Sequence, residues 1–387
     1  MPRAWDRVAK RSGVMSRLQT AMGLVVVLAT GGCGDERSDE DPFGGSPSPS
    51  SAGQVGDTGE MDDGEDPTDS DDGASSDGGM DPAGDGGPAA DGGMDDPPPE
   101  PTGLCHQEPP AGAPNPPAPK AYSGGSCPAI EPGYNTGFSS DGRNREFMFI
   151  APSDHDPSRT YPLVFAWYHI SGNAMDFVEY IDVQALADER QMLIVVPQDS
   201  GMFQATWPMT PLDNDQAHVD LVFFDDLLSC ISEQFSVNAN CVASAGVSAG
   251  GLWTSFLGQR RGKWLSSNLV FSGGYPTEFG QYWWGWQKSP HTFASLVLWG
   301  GPSDQLGINF HEASLNYKSH LNGDGHYIVS CQHDNGHGAP PPEPGETDPP
   351  IGALFDFVLD HPYWYEATSP YVTEGPPDDL PSYCSLP

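Results

Sequence analysis

Residues 242–253 read VASAGVSAGGLW. Within them, Gly246-Val247-Ser248-Ala249-Gly250 is either a nucleophile on a tight turn or a bend of small residues. Serine and glycine are common in this chain, so the pentad must be judged by its flanks and by the order of the residues after it. The segment before it, Asn240–Val247, reads as a strand, and Ala249–Gln259 after it reads as a helix. A serine hydroxyl becomes a good nucleophile only when a base takes its proton and hydrogen-bond donors meet the oxyanion it creates. A sharp strand-to-helix turn exposes the hydroxyl and aims the next amide, that of Ala249, at that charge. Glycines two residues to either side leave room for such a turn.

The wider pattern fits that context. Glu146–Ala151 and Tyr161–Tyr168 read as strands, Ala174–Arg190 as helix, Met192–Val196 as strand and Asp215–Phe235 as helix. Leu269–Ser272, Ser295–Trp299 and Tyr327–Ser330 are strand-like, while Phe310–Leu321 and Gly352–Leu359 are helix-like. Strands that alternate with helices predict an α/β fold with a mostly parallel sheet. Apolar runs without strict alternation are those of strands covered by helices on both faces. In such sheets, reactive residues stand on loops at the carboxyl ends of the strands.

Two later loops supply candidate partners. Gly300-Gly301-Pro302-Ser303-Asp304 comes after one strand, and Cys331-Gln332-His333-Asp334-Asn335-Gly336-His337-Gly338 after the last. The order nucleophile, acid, histidine is then Ser248, Asp304, His337. His337 would carry the proton, and Asp304 would orient the imidazole and stabilise its charged form. The alternatives are a turn or helix-capping role for Asp304, and His333 rather than His337 as the base. After the strand ending at Tyr168, the loop His169-Ile170-Ser171-Gly172-Asn173 would offer a second oxyanion donor, the amide of Ser171 or of Ile170, with His169 bracing the loop. Trp207, Trp283 and Trp284 lie in loop-like stretches before and after the nucleophile. They would either grip an apolar or sugar-bearing substrate or pack over the core.

Composition bounds the rest. The chain has 387 residues, with 16 Lys and Arg against 54 Asp and Glu, a formal net charge of −38. That excess disfavours nucleic acid, because phosphate contacts need clustered cations. Residues 1–33 combine a basic start, the apolar run Ala21–Ala29 and the ending Thr30-Gly31-Gly32-Cys33. This is the pattern of an export signal, too short in its apolar run to span a bilayer. Its ending resembles that of bacterial lipoprotein signals, which implies lipidation of Cys33. Residues 34–103 are rich in Asp, Gly, Pro and Ser, with Asp77-Gly78-Gly79-Met80-Asp81 returning as Asp91-Gly92-Gly93-Met94-Asp95. The ligand order of a calcium loop is missing, so the tract is expected to be a disordered acidic tether. Residues 104–387 form the expected folded domain. Its six cysteines, 105, 127, 230, 241, 331 and 384, allow up to three disulfides in an oxidising compartment. A Cys230–Cys241 bridge would tie the long helix to the nucleophile strand. A bond from Cys331, to Cys384 or to an N-terminal cysteine, would steady the histidine loop.

With these residues assembled, the segment from Arg145 to His337 resembles the secreted α/β-hydrolase esterases that include polyhydroxybutyrate depolymerases and feruloyl and acetylxylan esterases. REFMFIAPSDHDPSRTYPLVFAWYH, VSAGG, the Asp304 loop and CQHDNGHGAP carry the likeness. Where the family has glycine after the histidine of the early loop, this chain has Ile170. The resemblance implies an α/β-hydrolase fold and hydrolysis of a soluble or polymeric ester through an acyl-enzyme, with no metal or organic cofactor. A monomer touching membrane only through its lipid anchor is expected. A peptidase or amidase on the same fold, or a non-catalytic polymer-binding module, are the competing readings.

Overall fold

The computed structural model describes residues 102–199, 207, 214–278 and 281–387. The export signal, Cys33 and nearly all of the acidic tract lie outside the described residues.

In chain order the elements are β1 (Gly133–Ser140), β2 (Arg143–Ile150), β3 (Tyr161–Trp167), α1 (Ala174–Tyr180), α2 (Val183–Arg190), β4 (Leu193–Pro197), α3 (Asn214–Gln234) and β5 (Val237–Val247). Next come α4 (Ala249–Arg261), β6 (Ser267–Phe271), the small hairpin β7 (Thr277–Glu278) and β8 (Gln281–Tyr282), and β9 (Ala294–Trp299). The chain ends with α5 (Phe310–Asp324), β10 (Ile328–Gln332), α6 (Ile351–Asp360), α7 (Pro370–Glu374) and β11 (Cys384–Ser385). Nine strands form one sheet in the order β1-β2-β4-β3-β5-β6-β9-β10-β11. The six from β4 to β10 are parallel, and antiparallel strands close both edges. Every residue of β3, β4 and β9 is buried, as apolar runs covered on both faces require.

Two elements differ from the sequence reading. The expected helix 174–190 is two helices. Asp182 takes a left-handed backbone (φ 49°) between them, and its side chain accepts from the amide of Ala185 to start the second. Aspartate tolerates that conformation and caps well, so one residue both stops and restarts the helix. At the sheet edge, β1 and β2 form a hairpin through Asp141-Gly142, both at positive φ (49° and 68°). That is the backbone of a tight two-residue hairpin turn.

Side-chain alternation along β5 sorts the helices between the two faces and corrects the disulfide expectation. Ser244 accepts from the Trp167 indole (2.9 Å) and meets Thr254 of α4 (3.3 Å). Arg261 of α4 pairs with Asp225 of α3 (2.7 Å), so α3 and α4 share this face. Cys241, three residues before Ser244, points to the other face, as strand periodicity demands. It meets the segment Leu104–His106, where Cys105 contacts Val358 of α6. Cys230 on α3 therefore cannot reach Cys241 through the sheet. The bonds are Cys105–Cys241, Cys127–Cys230 and Cys331–Cys384. The first two fasten an N-terminal arm (residues 104–132), one to each face. The arm is held further by Lys120 on Asp225 (2.6 Å), Ser123 on Asp226 (2.7 Å for the amide) and the Trp264 indole on the carbonyl of Ala118 (3.1 Å).

The end of α6 carries a titratable group that sets a pH dependence. His361 is fully buried between Phe357 and Tyr371. Its Nδ1 donates to the carbonyl of Phe357 (2.8 Å), which leaves Nε2 to accept from the Ser369 hydroxyl (2.7 Å). Burial pushes the imidazole down to about 3. The unfolded chain takes up this proton near pH ~6.5, the folded chain only near its depressed value. Stability is thus unaffected by this group above that range, and between the two values it falls by about 1.4 kcal/mol per pH unit. Urea unfolding of His361→Gln between pH 6.5 and 4.5 is expected to show a shallower decline than the parent. Parallel declines would mean that the buried ring is not held neutral.

Candidate active site

The parallel register sets Trp167 of β3 beside Gly246 of β5, and Gly246 beside Val270 of β6. The chain leaves β5 through Ser248, whose backbone sits at φ 57° and ψ −119°. This is a strained conformation for any residue with a Cβ. Its amide donates to the carbonyl of Phe271 (2.9 Å), and its carbonyl accepts from Leu252 of α4 (2.9 Å). The flanking glycines are sterically required. A Cβ on Gly246 would lie 2.2 Å from the carbonyl oxygen of Gly250, and one on Gly250 would lie 2.0 Å from that of Trp167.

The three sequence candidates for proton transfer meet here. His337 Nε2 lies 2.9 Å from Ser248 Oγ, and His337 Nδ1 lies 2.7 Å from Asp304 Oδ1. An ionised carboxylate only accepts, so Nδ1 carries the proton and Nε2 is left to accept from the serine. Asp304 is wholly buried, and its other oxygen accepts from the Ser272 hydroxyl (2.8 Å) and the Gly300 amide (2.9 Å). Its carbonyl receives the amides of Phe310 (3.0 Å) and His311 (3.3 Å) at the start of α5. Phe310 in turn stacks on the His337 ring at 4.3 Å. The acid and histidine loops touch directly, since a Cβ on Gly300 would lie 1.7 Å from the carbonyl oxygen of Gly336. Sequence reasoning missed Ser272 and Phe310, which bear no motif. Their one signal is position, just beyond β6 and just inside the helix after the acid loop.

His333, the alternative base, is bound elsewhere. Its amide donates to Trp299 (3.0 Å), its Nδ1 accepts from the amide of Asn335 (3.1 Å), and its ring meets Tyr383 edge-on. Burial pushes this imidazole below its ordinary value. It therefore shapes the turn that delivers His337.

Ala249 opens α4, so its amide is among those at a helix N-terminus without an intrahelical acceptor. Ser171 sits at φ 59° in a turn closed by the amide of Gly172 on the carbonyl of His169 (3.2 Å). His169 Nδ1 meets the carbonyl of Ile170 (2.9 Å) within the same loop. The tryptophans are placed differently from a solvent-facing grip. Trp207 and Trp284 are buried, and Trp283 is half-buried against the core. The Trp284 indole donates to Gln259 (3.1 Å), and its carbonyl accepts from the Tyr275 hydroxyl (2.7 Å). Trp207 donates to the carbonyl of Tyr168 (3.0 Å). These two rings bury their area in the core and direct their N–H groups at internal acceptors, so of the two readings they follow packing over the core.

No protein-family model matches the chain. Feruloyl esterase D of Neurospora crassa is 22% identical over 160 residues, 38% of this chain and 52% of the relative. The chain thus spans about half the length of the curated relative it matches. Among solved structures, native pOPH aligns over 70% of this chain and 96% of its own, with 15% identity and a TM-score of 0.55. Native sOPH aligns over 68% and 96%, with 17% identity and a TM-score of 0.52. Together with the sheet order and the serine elbow, these likenesses give the chain the α/β-hydrolase fold, a mostly parallel sheet with helices on both faces.

The tight approach of α4 to β3 makes a direct prediction. Gly250→Ala should destabilise the protein by roughly 1–3 kcal/mol, the ordinary cost of overpacking. A Tm equal to the parent's would mean that the elbow and β3 are not in contact.

Proposed function

We propose that this chain is an exported serine esterase that hydrolyses carboxylic esters through an acyl-enzyme. The observation that carries the reading is the continuous relay from Ser248 through His337 to Asp304, at 2.9 and 2.7 Å, on a strained strand-to-helix turn. Ser248 Oγ attacks the acyl carbon while His337 Nε2 takes its proton. Asp304 stabilises the imidazolium without itself being protonated. The amides of Ala249 and Ser171 donate to the oxyanion of the tetrahedral intermediate. As that intermediate collapses, the bond to the alcohol breaks and His337 returns the proton to the departing oxygen. Water, deprotonated by the same imidazole, then attacks the acyl-enzyme and releases the acid and the free serine.

The substrate class in this reading is a polyester such as polyhydroxybutyrate, or feruloyl or acetyl esters on polysaccharide. The likeness to feruloyl esterase D supports an ester. Three disulfides support an oxidising compartment. The proposed layout is an export signal over residues 1–33 ending in a lipidated Cys33, a tether over residues 34–103 and a monomeric catalytic domain over residues 104–387. The relay itself asks for no cofactor.

The test is hydrolysis of p-nitrophenyl acetate and butyrate beside the matching anilides, with a serine-directed phosphonate located by mass spectrometry. Ester cleavage should exceed amide cleavage, and Ser248→Ala should lose roughly 10⁴-fold or more in kcat and take no label. Asp304→Asn should lose about 10⁴-fold while the protein stays folded, because an amide presents the wrong hydrogen-bond pattern to Nδ1. Full activity in Ser248→Ala would end the esterase reading.

A further inference from the structure

The exit of β3 is pinned from several directions by groups that the proton relay does not use. Tyr168, the first residue beyond β3, is fully buried. Its hydroxyl donates to Asp199 Oδ2 (2.7 Å) and accepts from Gln198 Nε2 (2.8 Å) and the Asp199 amide (2.9 Å). Its carbonyl accepts from Trp207 Nε1 (3.0 Å). Gln198 also reaches beyond the loop, its Oε1 accepting from the amide of Ala174 at the start of α1 (2.9 Å). The loop 169–173 is thus suspended between two fixed points, Tyr168 and Ala174. The first of these fixed points lies against the nucleophile turn, since a Cβ on Gly250 would lie 2.7 Å from the carbonyl oxygen of Tyr168.

Trp207 is itself immobilised. It is 3% exposed, edge-on to Trp167 (4.9 Å), tilted against Tyr168 (5.2 Å) and stacked on Trp253 (6.3 Å). Its N–H fixes the orientation of the peptide that leads into the loop carrying Ser171. We propose that Trp207 and Tyr168 are positioning residues for the second oxyanion donor, and that Trp207 does not contact substrate. The inference rests on the esterase reading above. Its chemical basis is that a donor is useful only where the oxyanion forms, and a displacement of about 1 Å costs on the order of 10²-fold in rate. A β-branched residue, Ile170, stands directly before Ser171 in the loop, and the aim of the Ser171 amide is set by anchors at the loop's two ends.

Trp207→Phe keeps a ring in the packing and deletes the donor, and Tyr168→Phe deletes the hydroxyl alone. Kinetics with p-nitrophenyl butyrate should give a kcat reduced about 10- to 100-fold with KM within about twofold. The Ki of butaneboronic acid, which forms a tetrahedral anion on the serine, should rise in parallel with the loss of kcat. Inhibition by butyrate, which forms no tetrahedral adduct, should not change. A raised KM with unchanged kcat would make Trp207 a substrate contact and overturn the proposal. So would unchanged boronate affinity alongside a lowered Tm, which would reduce the brace to a purely structural role. If Trp207→Phe does not fold, Tyr168→Phe decides by the same readouts. Parent enzyme that hydrolyses the ester while Ser248→Ala does not keeps the esterase reading intact whichever way these variants behave.

Discussion

The backbone of Ser248, held at φ 57° and ψ −119°, is the constraint around which the molecule is arranged. Such a conformation costs about 1–3 kcal/mol and persists only where its surroundings over-determine it. They do so here from both sides. The Ser248 amide is fixed to β6 through Phe271, and its carbonyl begins the hydrogen-bond ladder of α4. Helix α4 can then approach β3 only because Gly250 brings no side chain to the carbonyl of Trp167. The strain, the two glycines and the close strand–helix packing are one requirement seen at three positions. The result is a largely buried serine presented at the carboxyl end of a central strand, its hydroxyl within hydrogen-bond reach of His337.

Covalent and non-covalent restraints are divided along the sheet. Cys241 lies on the strand that leads into Ser248, seven residues before it and roughly 23 Å away at strand rise. The Cys105 and Cys127 bridges therefore clamp the arm at the end of the sheet remote from the chemistry. At the reactive end, hydrogen bonds hold the loops. Three of these converge on the Asp304 carboxylate from Ser272, Gly300 and His337. A buried carboxylate is costly unless each oxygen is satisfied, and here each one is. Cys331–Cys384 is the exception to the division. It pins β11 to β10 just before the histidine loop, where Tyr383 also accepts the amide of Gln332 (3.1 Å).

Most of the parallel sheet was legible because β3, β4 and β9 are continuous apolar runs bounded by turn residues. Ser248, Asp304 and His337 were legible for a related reason. Each comes after a readable strand, and the order of strands along the chain fixes which loops share an end of the sheet. The features that were not legible have equally physical causes. The first strand, GYNTGFSS, is polar and half exposed at an edge, and the sequence reading, which starts its strands at Glu146, passed over it and the Asp141-Gly142 turn that follows. The two-residue β11 exists through its disulfide and its partner strand and carries no pattern of its own. The cysteine pairing failed for want of one bit of geometry. Residues 241 and 244 of a strand face opposite sides, and nothing in the sequence said which side the long helix would cover.

The tryptophans illustrate why aromatic content is a weak guide to substrate contact. Indoles of Trp167, Trp207, Trp264, Trp284, Trp286 and Trp299 donate to Ser244, Tyr168, Ala118, Gln259, Asp324 and His311 respectively. Each joins segments distant in sequence or closes a loop onto the core. The contrast is Trp253, whose ring is wholly buried between Trp167 and Phe256 and whose N–H finds no acceptor among the described residues. Such an omission costs about 1–3 kcal/mol, and burial of a large apolar ring at a crowded junction offsets it. Indoles that satisfy their donor and indoles that forgo it thus serve the same end. Trp167, Trp207 and Trp253 pack on one another where β3 meets α4, beside the glycine-lined contact beneath Ser248. Of these indoles, that of Trp207 holds the carbonyl of Tyr168, the residue that leads into the loop 169–173.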